Sequence, residues 1–406
     1  MRLRAAYGCV SVPKTITTFR GFVKHVLFLI PWLLLLVGIA SIPAYLILRV
    51  FLGIDLIHIV AGALTDPQSV SNYLMQTTQS EPAKSLFLFT TFPGFTFAAV
   101  FSTVFMIWVE RKFVAKIQLR VGPQYAGRYG GILQNFADLL KLLFKEIIIP
   151  DKADKRVFVA VPLALMFVSG ALLALVPVGP TEYIANPSVG VIFVFGLIGL
   201  SPIIALLAGW ASNNKYSLLG GLRALHQMVA YEIPMILSAL GVVVLSGSLS
   251  LLGVVEAQSG VWFILLQPLG AIVFFTAVLA ELERIPFDLP EADSELVAGW
   301  QTEYSGMTFG IFQLATYIKF YALAGVFTVF FLGGWYGPGP VPPAVWFILK
   351  TFIVMLLMIL PRGVLPRVRI DTLLRSGWSR LMLLSFVNLF MALLIVSLGI
   401  YRMGGV

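Results

Sequence analysis

The chain is poor in charge, in histidine and above all in cysteine, and each shortage removes a class of function. Its one cysteine, Cys9, allows no disulfide framework, no CxxC metal site and no self-held iron–sulfur cluster. The three histidines, His25, His58 and His226, lie far apart in sequence and form no helical pair that could clamp a haem or a zinc ion. No strand-borne G-x-G-x-x-G and no Walker lysine occurs, so no nucleotide site is visible. Charged residues make up only 12% of the 406, about half the roughly 25% of a soluble domain. Hydrophobic residues make up 59% and the mean hydropathy is +0.94. These values describe a polytopic membrane protein whose redox or ligand chemistry comes from partners or from a diffusible molecule. The net charge of +9 therefore calls for a membrane explanation before a nucleic-acid one, and no nucleic-acid partner is expected.

What the chain does have is long apolar runs. They fall near 26–48, 86–109, 157–178, 190–210, 228–250, 261–281, 308–332, 344–361 and 382–401, and each is long enough to cross a hydrocarbon core of about 30 Å. The expected fold is all-α, with about nine transmembrane helices. The first run is read as a retained helix rather than a signal peptide. Charge asymmetry orients the set. With the N-terminus inside, the inner segments 1–25, 110–156, 211–227, 282–307 and 362–381 hold nearly all of the cations, and the outer segments hold only Arg49, Lys84 and Arg402. Lys319 and Lys350 fall within spans.

The inner segments carry two further features. Within Ile132–Ile149 the polar residues Gln134, Asp138, Lys141 and Lys145 recur at steps of four, three and four, while Leu133, Phe136, Leu140, Leu143, Phe144 and Ile147 take the other face. This is an amphipathic helix ended by Pro150, suited to the membrane interface or to packing on neighbouring helices. Ahead of it, Arg120-Val-Gly-Pro123 reads as a turn presenting a cation. The second feature is the acidic stretch Glu281–Gly306, with seven carboxylates (Glu281, Glu283, Asp288, Glu291, Asp293, Glu295, Glu303) against one cation, Arg284. Pro286 and Pro290 forbid one continuous helix through it. Pro290 suits the first position of a new helix with Glu291 and Asp293 in its first turn, and Glu291 and Glu295 on one face. A solvated, well-capped loop is the plain alternative. At depth stand Glu232, beside Ile233-Pro234, Glu281 at the end of the sixth run, and Lys319 within the seventh. Ionisable groups there cost a few kcal/mol and mark an ion path or a paired site, although Lys319 could also snorkel.

Several long strings resemble one family: Glu110-Arg111-Lys112 with QLRVGP at 118–123, DLLKLLFKE at 138–146, AGWASNNKYSLLGGLRALHQ at 208–227, YEIP at 231–234, PFDLPEADSELVAG at 286–299, TEYSG at 302–306 and LPRVRID at 365–371. They are similar to the NuoH/NdhA family, the quinone-proximal membrane subunit of respiratory complex I and its photosynthetic and archaeal relatives. The likeness covers 86–401, an eight-helix core, with 1–85 as an N-terminal tail, extra helix and outer loop. The resemblance implies a chamber, shared with iron–sulfur and quinone-site subunits of a soluble arm and set among other membrane subunits and lipid. A partner's terminal iron–sulfur cluster would reduce the quinone headgroup there. Quinone would be a substrate, and this chain would hold no cofactor. By the same resemblance, Glu110, Arg111, Arg120, Asp138, Arg223, Arg284, Asp288, Glu291, Asp293, Glu295 and Arg362 belong to the chamber and its inner rim. Glu232 and Glu281 belong to a buried acidic path that couples quinone reduction to proton pumping in an energy-coupling membrane.

The chain departs from the family in two places. Thr316 stands where many members carry a glutamate, with Lys319 in place of a neutral polar residue, and the AETNR motif reads AELER over Ala280–Arg284, adding Glu283. Both changes lean toward the photosynthetic or archaeal branch, where the donor need not be NADH. Two other classes stay open. The membrane subunit of a proton-reducing hydrogenase complex would be revealed by nickel-ligand cysteines in a soluble partner. A stand-alone transporter would usually show internal repeats, and none is evident.

Overall fold

A computed structural model describes residues 105–399, apart from 128–129, 181, 291–292 and 339–340 and the side chains of Asp293 and Ser294. The chain divides into two compact units between Phe89 and Thr90. Everything described belongs to the second unit. The expected run 26–48 and nearly all of 86–109 lie outside the described residues.

Because lipid offers no hydrogen-bond partners, apolar segments must satisfy their backbone internally, and helices do so. In order these are α1 (Met106–Ile117), α2 (Gln134–Phe144), α3 (Lys155–Leu175), α4 (Gly190–Ile198), α5 (Leu200–Ala211), α6 (Lys215–Ser246), α7 (Leu251–Ala257), α8 (Phe263–Leu266) and α9 (Pro268–Glu281). The single turn α10 (Asp293–Leu296) follows, then α11 (Gly306–Phe331), α12 (Pro343–Val364), α13 (Ile370–Arg375) and α14 (Met382–Ser397). Six helical stretches among the described residues are long and apolar enough to cross a membrane, counting α4 with α5 and α13 with α14. They coincide with six of the runs read from hydropathy.

The seventh described run differs. Residues 261–281 do not form one span: the chain breaks at Gln267, and α9 restarts on Pro268. Its 14 residues reach only about 21 Å at 1.5 Å per residue. Pro268 explains the break, since it has no N–H to continue α8. In the opposite sense, α6 has 32 residues, about 48 Å. Most of the inner segment 211–227 is therefore helix projecting past the hydrocarbon.

α6 packs on α5, α9 and α14, while α11 packs on α3 and α12. Close approach depends on small residues, as expected where helices associate without a hydrophobic drive. A Cβ on Gly220 would stand 2.6 Å from the Trp300 backbone nitrogen. α11 is the most enclosed span, and Phe158 of α3 stacks on Tyr304 just ahead of it at 4.0 Å.

The amphipathic helix forms but ends at Phe144, short of the expected Pro150. Tertiary contacts take over from there. The Ile148 N–H donates to Ser305 Oγ at 3.0 Å, and a Cβ on Gly306 would stand 2.7 Å from the Lys145 carbonyl oxygen. Segment 145–149 is held against the 305–306 turn in non-helical form. Leu133, Phe136, Leu140, Leu143, Phe144 and Ile147 are all exposed, and all but Phe136, which borders a cavity, suit a lipid-facing side.

Candidate functional site

A cavity of about 1030 Å³ lies among α1, α2, residues 282–288, the 298–306 turn and the first turns of α11. Seven of the residues assigned to the rim by resemblance line it: Glu110, Arg111, Arg120, Asp138, Arg284, Asp288 and Arg362. These positions come from four separated stretches of sequence. The polar side of α2 faces inward through Asp138, Lys141 and Lys145, so this helix is a wall with one charged and one apolar surface. Apolar residues such as Ile107, Phe136 and Phe309 complete the lining.

At the cavity's inner corner sits Glu110, 2% exposed, just beyond the run 86–109. Its Oε1 accepts from both Arg284 and Arg362, and its Oε2 accepts from the Tyr317 hydroxyl at 2.9 Å. Burial alone would raise this carboxyl's pKa, but the two guanidiniums and the hydrogen bonds outweigh it and hold it at about 2. The Arg284 guanidinium also lies over the Tyr317 ring at 5.0 Å and the Phe320 ring at 4.8 Å. Between α1 and α2, Arg111 donates to Asp138 at 2.6 Å, and Gln134 donates to the other oxygen at 2.9 Å. Burial works against the Asp138 carboxylate, yet these bonds hold its pKa below the usual value. Arg120 is exposed on its turn, with its Nε bonded to Gln118 at 2.8 Å.

The acidic stretch is not a free solvated loop. Asp288 accepts from Arg367 at 3.1 Å, Glu295 from Arg223 at 2.5 Å and Glu303 from Asn214 at 2.6 Å. Trp300 Nε1 donates to Glu283 at 3.2 Å. Gln227 of α6 spans the start of the stretch, donating to the carbonyls of Ala280 at 2.8 Å and Phe287 at 2.7 Å. These partners come from α6 and its N-cap, from the 365–369 segment and, for Glu283, from within the stretch itself. Arg223 and Glu295 pair with each other and do not line the cavity. Helix α10 begins at Asp293 as described, with Pro290 in a turn ahead of it. Glu291 lies outside the described residues, as does the side chain of Asp293.

A second polar centre lies within the bundle. Glu281, 1% exposed, accepts from Lys319 Nζ at 2.7 Å through Oε1, while its Oε2 has no hydrogen-bond partner among the described residues. The lysine also reaches the Glu281 carbonyl at 3.3 Å, so it pairs rather than snorkels. Glu232 interacts electrostatically with both Glu281 and Lys319. Its Oε1 occupies the joint between α4 and α5, 2.7 Å from where a Cβ on Gly199 would stand. The two glutamates assigned to the acidic path are thus brought together, although neither lines the cavity.

Sequence reasoning missed Tyr317, which completes the Glu110 cluster. The available signal was an amphiphilic aromatic beside Thr316 and two residues before Lys319, hidden within a run judged by its average hydropathy.

Residues 91–393 match the family described as NADH dehydrogenase. Curated proteins named as the H subunit of NADH-quinone oxidoreductase are similar over most of the chain. The one from Anoxybacillus flavithermus is 44% identical over 329 residues, covering 80% of this chain and 98% of the relative. The one from Geobacillus thermodenitrificans is 44% identical over 322 residues, covering 75% and 97%. The one from Bacillus thuringiensis is 45% identical over 306 residues, covering 74% and 92%.

Proposed function

The chain belongs to the family of NADH-quinone oxidoreductase H subunits, and from that premise we propose that it forms the membrane-side wall of a quinone-reducing chamber. It is a membrane subunit of a complex I-type oxidoreductase that couples quinone reduction to proton translocation, and it is not catalytic alone. Quinone is the substrate, and the electrons arrive from an iron–sulfur cluster in a soluble-arm partner. Two electrons and two protons convert quinone to quinol, so a chain without a redox centre contributes by binding, orientation, field and proton exchange.

The observation that carries this reading is the cavity, which gathers seven family-assigned residues between the charged side of α2 and the Glu110 cluster. Its charged corner suits a polar headgroup. The exposed apolar side of α2 suits the bilayer from which a long isoprenoid tail would enter. Glu232, Glu281 and Lys319 then form the first relay of the coupling path, because charge arriving at the quinone alters their proton affinities through the Coulomb interaction at low dielectric. The excess of cations on the inner segments supports an N-terminus on the side of the soluble arm. The hydrogenase-type alternative gains no support from relatives named for quinone.

Substituting Arg120 by alanine tests the chamber. The assembled complex should reduce quinone more slowly while reduction of a hydrophilic artificial acceptor upstream is unchanged. Equal loss with both acceptors, or failed assembly, would remove the quinone-specific role.

A further inference from the structure

The stretch from Ile370 to Ser397 carries a patch that quinone chemistry leaves unused. α13 passes through a π-helical segment, Ser376–Leu381, into α14, and such segments are rare and often functional. Its inward side is fixed on α6. The Tyr231 hydroxyl bonds to the Leu373 carbonyl at 3.1 Å and to Ser376 Oγ at 2.8 Å. Gly377 is buried there, with a Cβ position 3.1 Å from the Ala230 carbonyl oxygen. Arg375, Trp378 and Arg380 are exposed on the other side, Trp378 by 49%. Neither guanidinium has an ion-pair partner among the described residues. The nearest acid in sequence, Asp371, is itself exposed. Directly beyond, α14 exposes Leu383, Phe386, Val387 and Phe390, on the least enclosed of the six spans.

We propose that this patch is a seat for an anionic phospholipid. The phosphate lies between Arg375 and Arg380, the indole of Trp378 marks the boundary between headgroup and acyl region, and the chains run along the exposed face of α14. The chemistry fits at each level. Forked guanidinium donors match phosphate oxygens. Tryptophan concentrates at the membrane–water interface, and anionic headgroups gather at juxtamembrane cations. A soluble acidic protein would match the arginines but not the apolar helix continuous with them.

The test compares the intact purified complex with a variant carrying Arg375→Gln and Arg380→Gln. After detergent washing, retained phospholipid is identified by mass spectrometry, and phosphatidylglycerol or phosphatidylcholine is then added back. The variant should keep its full set of subunits and lose about one retained phosphatidylglycerol per complex. On re-addition it should bind phosphatidylglycerol roughly thirtyfold more weakly, with phosphatidylcholine unaffected. Trp378→Leu keeps both charges and should also lower phosphatidylglycerol retention, because a seated lipid needs the ring. Unchanged retention in either variant overturns the proposal. So does loss of a neighbouring membrane subunit from the arginine variant, which would make the patch a protein interface.

Discussion

Glu110 and Glu281 are both glutamates almost wholly removed from solvent, and each is held by a cation far along the chain, yet the two environments are opposite in kind. Glu110 is saturated: two guanidiniums share one oxygen and a tyrosine hydroxyl fills the other. Glu281 has one ammonium on one oxygen and no hydrogen-bond partner among the described residues on the other, with a second carboxylate, Glu232, interacting with the same lysine. A saturated carboxylate cannot accept a proton without breaking bonds that keep two arginines in place, so it acts as fixed charge at the cavity corner. A carboxylate with a bare oxygen and a single counter-ion has somewhere to put a proton. Under the proposed function, the contrast separates a part that would shape the quinone chamber from a part that would answer it.

The largest expected effect follows from removing the fixed charge. Glu110→Gln leaves Arg284 buried against aromatic rings without its counter-ion, a penalty of about 3–5 kcal/mol for a buried pair. Assembled complex should fall sharply on native gels. The carboxyl is held near 2, below its ordinary 4.5, so its stabilisation is complete above the ordinary value and fades only as pH falls toward 2. The penalty should therefore be the same at pH 6 and pH 8. A pH-dependent penalty in that window, or normal abundance, would show that Glu110 is not the saturated anion described.

Next comes the lysine of the other centre. Lys319→Met leaves Glu281 uncompensated and should lower assembly by a comparable mechanism. Adding Glu281→Gln removes the stranded charge, so the double variant should assemble better than Lys319→Met alone. That sign of coupling is what a double-mutant cycle reads for a direct pair. Additive losses would place the two residues in separate interactions.

The glutamates by themselves should affect function more than assembly. Glu→Gln keeps shape and much of the hydrogen bonding but cannot titrate. Glu281→Gln or Glu232→Gln in vesicles containing the intact complex should lower proton-coupled quinone reduction per assembled complex by about tenfold or more, with near-normal abundance for Glu232→Gln and a reduced one for Glu281→Gln, which leaves the buried Lys319 ammonium without its carboxylate. Wild-type rate and proton stoichiometry in both variants would remove them from the path.

How much of this was readable beforehand follows a physical division. Apolar runs specify spans because bilayer thickness fixes helix length, and the runs that became α3, α6, α11 and α12 were legible for that reason. The break at Gln267 was marked by Pro268 but lost in an average over the run. The end of α2 was not legible, because Ser305 and Gly306 set it from across the fold. Arg284 had no visible partner within its acidic stretch, because its carboxylate is Glu110, 174 residues away. Family strings named both residues as chamber positions, but only geometry joins them to Tyr317. Lys319 was open between snorkelling and pairing until the neighbouring end of α9 was placed.

The smallest effect sharpens the comparison most. Gly199 has an ordinary helical φ of −64°, so alanine there meets no backbone strain and is the better helix former. Its added Cβ, however, would stand 2.7 Å from Glu232 Oε1, too close to be tolerated without movement. The obstructed atom is the far end of a flexible side chain, so the carboxylate can turn away at little cost to folding. Gly199→Ala should therefore assemble as well as the unaltered chain while shifting Glu232 relative to Glu281 and Lys319. If the relay depends on that placement, coupled activity should fall by a few-fold, less than in Glu232→Gln, where the titrating group itself is gone. The same alanine should leave the Glu110 cluster, which it does not touch, with its pH-independent stability. An undiminished rate in Gly199→Ala, set beside a loss in Glu232→Gln, would mean that the carboxyl must be present but need not be held at the joint of α4 and α5.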